Sequence, residues 1–242
     1  MKGSDNADQR AIDYKSLSSF TIAAHELKSP LALLRQLALS LESGDLSEGE
    51  RQEVARHMKL VSERALRLTT DLTKAQRLED GLFTLEPINP QQLCEEVVWE
   101  LTPLYKAFGR ELVLTSRQRP LLAIANRDLL RRILLNFADN ALYYADETSP
   151  VELSVSSRGQ GETIRLGIRD YGPALSVDTW RSLHDTSLRP EQLYARPGGS
   201  GLGLTIARQF AQAMNGSVGA TRHRDGATFH VDIHASRQMS LL

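Results

Sequence analysis

The sequence lacks the ingredients of several common protein classes. It has one cysteine, Cys94, which excludes an internal disulfide and a cysteine-based zinc site and fits a reducing compartment. No run of about 18 apolar residues occurs, so no segment reads as a membrane span and no membrane contact is expected within the chain. Neither charge dominates: 29 Lys and Arg against 30 Asp and Glu leave a net charge of −1. A generic nucleic-acid binder needs a strong basic field, so no nucleic-acid partner is expected. There is no Walker A pattern, no G-x-G-x-x-G after a first strand and no G-x-S-x-G. P-loop, Rossmann and Ser-His-Asp hydrolase chemistries therefore fail. His57, His184, His223, His230 and His234 offer no metal spacing beyond the pair His230 and His234, which lie about 13 Å apart on a strand at ~3.3 Å per residue. No signal-peptide pattern, internal repeat or low-complexity tract is evident. Residues 1–13 are polar at their start and are expected to be a disordered N-terminal segment.

What is present divides into two halves of different period. The 242 residues, 41% hydrophobic and 24% charged, suffice for one large domain or two small ones. In the first half, Leu17, Phe20, Ala24, Leu27, Leu31, Leu34, Ala38 and Leu41 recur in alternating steps of three and four, a heptad stripe. The segment Ser43 to Ser47 breaks it, and Ser47 with Glu50 forms a capping-box signature for a second helix. That helix repeats the pattern at Val54, Met58, Val61, Ala65, Leu68, Leu72 and Ala75. Leu33 and Leu37 widen the apolar face. A lone antiparallel hairpin cannot bury both stripes, so a homodimeric four-helix bundle is expected, with packing of the stripes on the rest of the same chain as the alternative.

Gly81 and Pro87 to Pro90 read as a linker. Beyond about Leu85 the periodicity predicts helices over 91–108, 127–145 and 201–214, and strands over 111–116, 121–125, 151–157, 163–169, 217–222 and 228–234. Val151, Leu153 and Val155 alternate with polar residues, as do Ile164, Leu166 and Ile168, which describes a sheet with one buried face. The expected fold class is α+β: a helical hairpin over 14–84, then a two-layer α/β sandwich over 85–242.

Four elements carry chemistry. In the heptad frame Leu17, Ala24, Leu31 and Ala38 are a positions, which places His25 at b, facing solvent. Glu26 can take the Nδ1 proton of an imidazole and leave Nε2 nucleophilic. Ser29 lies one turn along, and Pro30 removes the N–H that would bond the Glu26 carbonyl, a kink costing ~3 kcal/mol in a helix interior. The same residues would equally suit a solvated His–Glu pair beside an incidental kink. Asn136 and Asn140, at i and i+4, share one helix face and can offer amide oxygens to Mg²⁺ or bond phosphates; seen alone, they would be surface asparagines. Asp170 ends a strand, where a carboxylate can accept from an adenine amino group or initiate a turn. Gly199, Gly201 and Gly203 precede and open an amphipathic helix, whose N-terminus favours phosphate; loop flexibility is the other reading. Between Asp170 and Gly199 few periodic signals occur, and that span reads as a lid.

Taken in this order, the elements resemble the sensor histidine kinases of two-component systems. The stretch from Phe20 through His25 and Pro30 to Leu31 is similar to the family's H-box, Arg132 to Tyr144 to its N-box, Asp170-Tyr171-Gly172-Pro173-Ala174 to its first glycine box, and Gly199 to Leu204 to its second. Gly226-Ala227-Thr228-Phe229 is similar to the closing strand signature. The likeness runs from about residue 14 to 236. It implies a dimerisation and phosphotransfer hairpin, then a Bergerat-type ATP-binding domain. ATP with Mg²⁺ would phosphorylate His25, and an aspartate of a response regulator would take the phosphoryl group. It further implies Glu26 as base, Asn140 as the metal ligand, Asn136 as a phosphate-side contact and Asp170 as the adenine reader. Tyr144 would stack near base or sugar, Thr228 would sit near the adenine end, and Gly172, Arg196, Gly199, Gly201, Leu202, Gly203 and Leu204 would line the nucleotide. A cytoplasmic location follows, as the output portion of a membrane-anchored sensor if the natural protein is longer.

The chain departs from the family pattern at Tyr143, where a cation is usual, and at Ala174, where glycine is usual. If position 174 needs a positive φ, alanine costs about 1 kcal/mol. Trp180 and Leu183 stand in a lid without its usual phenylalanines, Asn126 stands where Asp is frequent, and Ser29 replaces Thr or Asn. These departures leave open a degenerate, ATP-responsive scaffold, or a protein acting mainly as a response-regulator phosphatase.

Overall fold

The computed structural model describes residues 27, 28, 30–77, 83–115, 122–144, 149–175, 177, 180, 181 and 202–236. They belong to two compact units, the first reaching Lys74 and the second taking in Ala75–Leu193 and Gly203–Leu242. In the first unit residues 30–42 form α1 and Glu48–Arg77 form α2. Gly44, at φ +76°, supplies the left-handed turn that ends α1. The capping box is formed as the sequence predicts: the Ser47 N–H donates to Glu50 Oε2 at 2.8 Å, and the Glu50 N–H donates back to Ser47 Oγ at 3.4 Å. Along the predicted stripes Leu34, Leu41, Val54, Met58, Val61, Ala65 and Leu68 are half-buried, whereas Leu31 is 58% exposed.

The second unit opens with β1 (Glu86–Ile88), a strand inside the segment predicted to be a linker. Pro87 is tolerated there because, among the described strands, β1 pairs on one side only, with β3 (Ala123–Ala125). Next, α3 (Pro90–Ala107) starts one residue before its predicted position. Asn89 Oδ1 caps it by accepting from the Gln91 and Gln92 N–H groups, and Pro90 needs no donor at that place. After β2 (Leu112–Leu114) and β3 comes α4 (Arg127–Tyr144), then β4 (Val151–Arg158), β5 (Thr163–Asp170), α5 (Leu202–Ala213), β6 (Ser217–His223) and β7 (Gly226–His234).

The main sheet runs β2-β4-β5-β7-β6. All its pairings are antiparallel except β2 with β4, which is parallel. Its two faces differ in chemistry. Ile164, Leu166 and Ile168 of β5 and Phe229, Val231 and Ile233 of β7 are buried, and Phe137 of α4 lies 6.1 Å from Phe229. The other face carries Arg165, which grips Asp232 through two bonds of 2.7 and 2.6 Å. A sheet with one apolar face and helices on it is the two-layer sandwich the alternation predicts. Between the helices, Tyr105 Oη donates to the Ala138 carbonyl at 2.7 Å, and Arg127 and Arg131 pair with Glu96 and Glu100.

Candidate functional site

Four elements carry the predicted nucleotide residues: α4, the C-terminal end of β5, the start of β7 and the N-terminus of α5. Asn126 sets the beginning of α4. Its Oδ1 accepts from the Leu129 N–H at 3.1 Å while its amide donates to the Thr84 carbonyl at 3.2 Å. Asn caps as well as Asp, so this departure from the family pattern keeps the helix start. Ten and fourteen residues on, Asn136 and Asn140 stand half-buried on α4. Asn136 Nδ2 donates to the Gly203 carbonyl at 3.3 Å, which ties α4 to the first turn of α5. Its Oδ1 faces Gly203 closely enough that a β-carbon there would lie 4.0 Å away. Leu204, predicted to line the site, is buried in α5, and Leu202 opens that helix with its side chain outside the described residues.

Asp170 is 4% exposed at the end of β5. A buried carboxylate needs donors, and one is the N–H of Ala227, at 3.2 Å from Oδ1. The register pairs Asp170 with Ala227 and Arg169 with Thr228. Paired residues share a face, so Asp170 and Ala227 lie on one side of the sheet and Thr228 on the other. There Thr228 Oγ1 is bonded to His223 Nε2 at 2.9 Å. The structure thus does not bring Thr228 to Asp170. The residue of this strand that reaches the carboxylate is Ala227, through its backbone, which the sequence pattern alone did not single out.

Gly226 takes φ +127°, and a β-carbon on it would meet the Asp170 carbonyl at 2.2 Å and the Gly172 N–H nitrogen at 2.8 Å. Glycine is required there by both conformation and space. Gly172 therefore lies against the start of β7, directly after Asp170. Ala174 is exposed, and among the described non-glycine residues only Gln160 and Asn215 have positive φ. Ala174 therefore does not incur the backbone cost that a positive φ would bring. Arg222 of β6 donates from Nε to the Leu175 carbonyl at 2.6 Å and holds the chain that follows Ala174.

His25, Glu26, Ser29, Arg196, Gly199 and Gly201 lie outside the described residues, as do the side chains of Tyr143 and Tyr144. Among the described residues no group of three or more His, Cys, Asp or Glu side chains stands together. Amide oxygens, with water and phosphate, make a donor set that suits Mg²⁺. Two half-buried amides on one helix face fit that set.

Residues 125–237 match the family model described as histidine kinase-, DNA gyrase B-, and HSP90-like ATPase. The chain is similar to the catalytic portion of sensor histidine kinases, as its motifs imply. It is 29% identical over 200 residues to the histidine protein kinase SaeS of Staphylococcus epidermidis RP62A, covering 81% of this chain and 56% of that protein. Against SaeS of Staphylococcus aureus USA300 it is 28% identical over 217 residues, covering 87% and 61%. The chain thus spans less than two thirds of these curated relatives. Among solved structures, the Acinetobacter baumannii histidine kinase AdeS aligns with a TM-score of 0.60 at 18% identity, covering 88% of this chain and 98% of that one. Full-length ShkA, in complex with AMPPNP, aligns at 0.58 with 24% identity, covering 92% and 47%. These two likenesses bear on the fold, and both agree with the helix-plus-sheet architecture.

Proposed function

We propose that the chain is the catalytic portion of an ATP-dependent protein-histidine kinase. Its hairpin, residues 14–84, would dimerise and carry the phosphoacceptor His25, and residues 85–242 would bind the nucleotide. In this reading His25 Nε2 attacks the γ-phosphorus of ATP, the bond to the β-γ bridging oxygen breaks, and ADP leaves with that electron pair while Glu26 holds the Nδ1 proton. An aspartate of a response regulator then takes the phosphoryl group from His25. Asn140 would offer its oxygen to Mg²⁺, which would neutralise charge on the phosphates. Asn136 would stand on the phosphate side, and Asp170 would accept from the adenine amino group. Such chemistry belongs in the cytoplasm, and among the described residues no helix is long and apolar enough to cross a membrane.

The observation that carries the reading is Asp170. Its carboxylate is buried at a strand end, held by the Ala227 N–H and set beside Gly226, where no side chain fits. A carboxylate fixed in this way at the end of β5 is placed to accept from an adenine amino group. The test is incubation with γ-labelled Mg-ATP beside His25→Gln, followed by acid and alkali treatment. Acid-labile, alkali-stable label that vanishes in the variant is the expected outcome. Absence of label, with ATP binding measured separately, would instead favour the scaffold or phosphatase function.

A further inference from the structure

We propose that Arg169 is a positioning residue for base recognition, clamping the strand end that carries Asp170 from the opposite face of the sheet. This inference rests on the reading of Asp170 as the adenine reader.

Arg169 precedes Asp170 in β5, so its side chain emerges on the polar face while Asp170 faces the helices. The guanidinium does not extend into solvent. Nη1 donates back to the Asp170 carbonyl at 2.6 Å, and Nη2 donates to Asp225 Oδ1 at 2.6 Å in the turn between β6 and β7. Its carbon lies 4.4 Å from the centroid of the Tyr171 ring, and Tyr171 Oη is fixed in turn by Glu152 Oε1 at 3.0 Å. One guanidinium thereby joins the residue before, the residue after and the backbone of Asp170 itself to the neighbouring hairpin. The Arg169 side chain is 13% exposed, so water competes weakly for its bond to the Asp170 carbonyl.

The clamp acts at a place with no slack. Gly226, next to the donor residue Ala227, is wedged between the Asp170 carbonyl, the Gly172 nitrogen and Arg169 Nη1, each within 2.9 Å of where its β-carbon would stand. The distance from the Asp170 carboxylate to its Ala227 donor depends on how β5 and the hairpin are held together here. Backbone pairing continues up to Asp170 and Ala227 and stops. Beyond that rung Arg169 bridges the strand end to the turn, while Arg222 holds the chain farther on at Leu175. A misplacement of about 1 Å in a reading group costs heavily in recognition. Asp225 is 67% exposed, and its substitution is a mild way to loosen the clamp without touching the core.

The experiment is calorimetric binding of ATP and of purine riboside triphosphate, which lacks the 6-amino group, to the full chain. Asp170→Asn is expected to remove the preference for ATP. Arg169→Ala is expected to weaken ATP by about five-fold or more, the worth of a hydrogen bond of roughly 1 kcal/mol, while leaving the analogue within about two-fold. Asp225→Ala should move the same way by a smaller factor, and Arg169→Lys should recover part of the loss. If Asp170→Asn abolishes the preference but Arg169→Ala and Asp225→Ala keep it, the clamp is refuted and the adenine reading stands. If Arg169→Ala weakens both ligands equally, Arg169 serves the fold or the phosphate side and the inference is likewise overturned. If Asp170→Asn retains the preference, the reading beneath the inference fails.

Discussion

His223 shows how a single residue links the strand end to solution conditions. It faces Thr228, Arg169 and Asp225 on the polar side of the sheet. Burial, with the Arg169 charge second, lowers the imidazole pKa below its ordinary value, while Asp225 opposes the shift. The unfolded chain therefore binds a proton at higher pH than the folded one does. This contribution to stability is present above about pH 6.5, the unfolded value, and is lost as pH falls below it. Urea midpoints measured at pH 7.5 and 5.5 should fall more for the wild type than for His223→Gln. An equal fall in both would show that His223 takes no part. At this scale the sequence was only partly legible. The motif around Gly226 marked the stretch that pairs with the end of β5, but Thr228 and Ala227 differ by one residue, and one residue changes the face of a strand. Only the register separates the side chain that bonds His223 from the backbone N–H that reaches Asp170. Asn126 was visible as a departure from a family pattern, while its work as a cap needed the helix start to be seen.

At the scale of elements, glycines in the sheet carry different burdens that composition does not distinguish. Gly167 sits at ordinary φ in β5, and a β-carbon there would lie 3.3 Å from Thr228 Cγ2, a methyl that can give way. Gly226 combines φ +127° with backbone atoms at 2.2 and 2.8 Å. Gly226→Ala should cost about 2 kcal/mol or more, and Gly167→Ala about 1 kcal/mol or less. Equilibrium urea unfolding of the two variants decides the order, and equal losses would contradict this account of the β6–β7 turn. The longer elements were legible because their periods are strong. Helices α3 and α4 and strands β4 and β5 fall within a residue or two of expectation where they are described. Strand β1 was not legible: three residues containing a proline, beside Pro90, carry the composition of a linker. Nor does the sequence disclose that β2 runs parallel to β4, since a three-residue strand shows no partner preference.

For the whole molecule, the question is where the first unit finds its core. Among its described residues only Asp71 is fully buried, at 3% exposure, and every described apolar residue of the two stripes remains at least partly open to water. Leu31, at a core position of the heptad, is 58% exposed, and Leu33 beside it 45%. A pair of helices with no fully buried apolar side chain lacks the main term that stabilises a fold. Covering each half-open leucine, valine or methionine is worth roughly 1 kcal/mol, so eight to ten of them give on the order of 10 kcal/mol per chain before the cost of association. A second copy presents the same stripe and closes both at once by two-fold symmetry. The full chain is therefore expected to sediment as a dimer at micromolar concentration. Leu31→Glu, which sets a charge in the seam, should weaken the dimer by at least about ten-fold. Trp99→Ala removes a larger apolar side chain, 81% exposed on α3 of the other unit, and should leave the dimer unchanged. If Trp99→Ala rather than Leu31→Glu produced monomers, association would run through the second unit, and the hairpin would need another cover for its stripes.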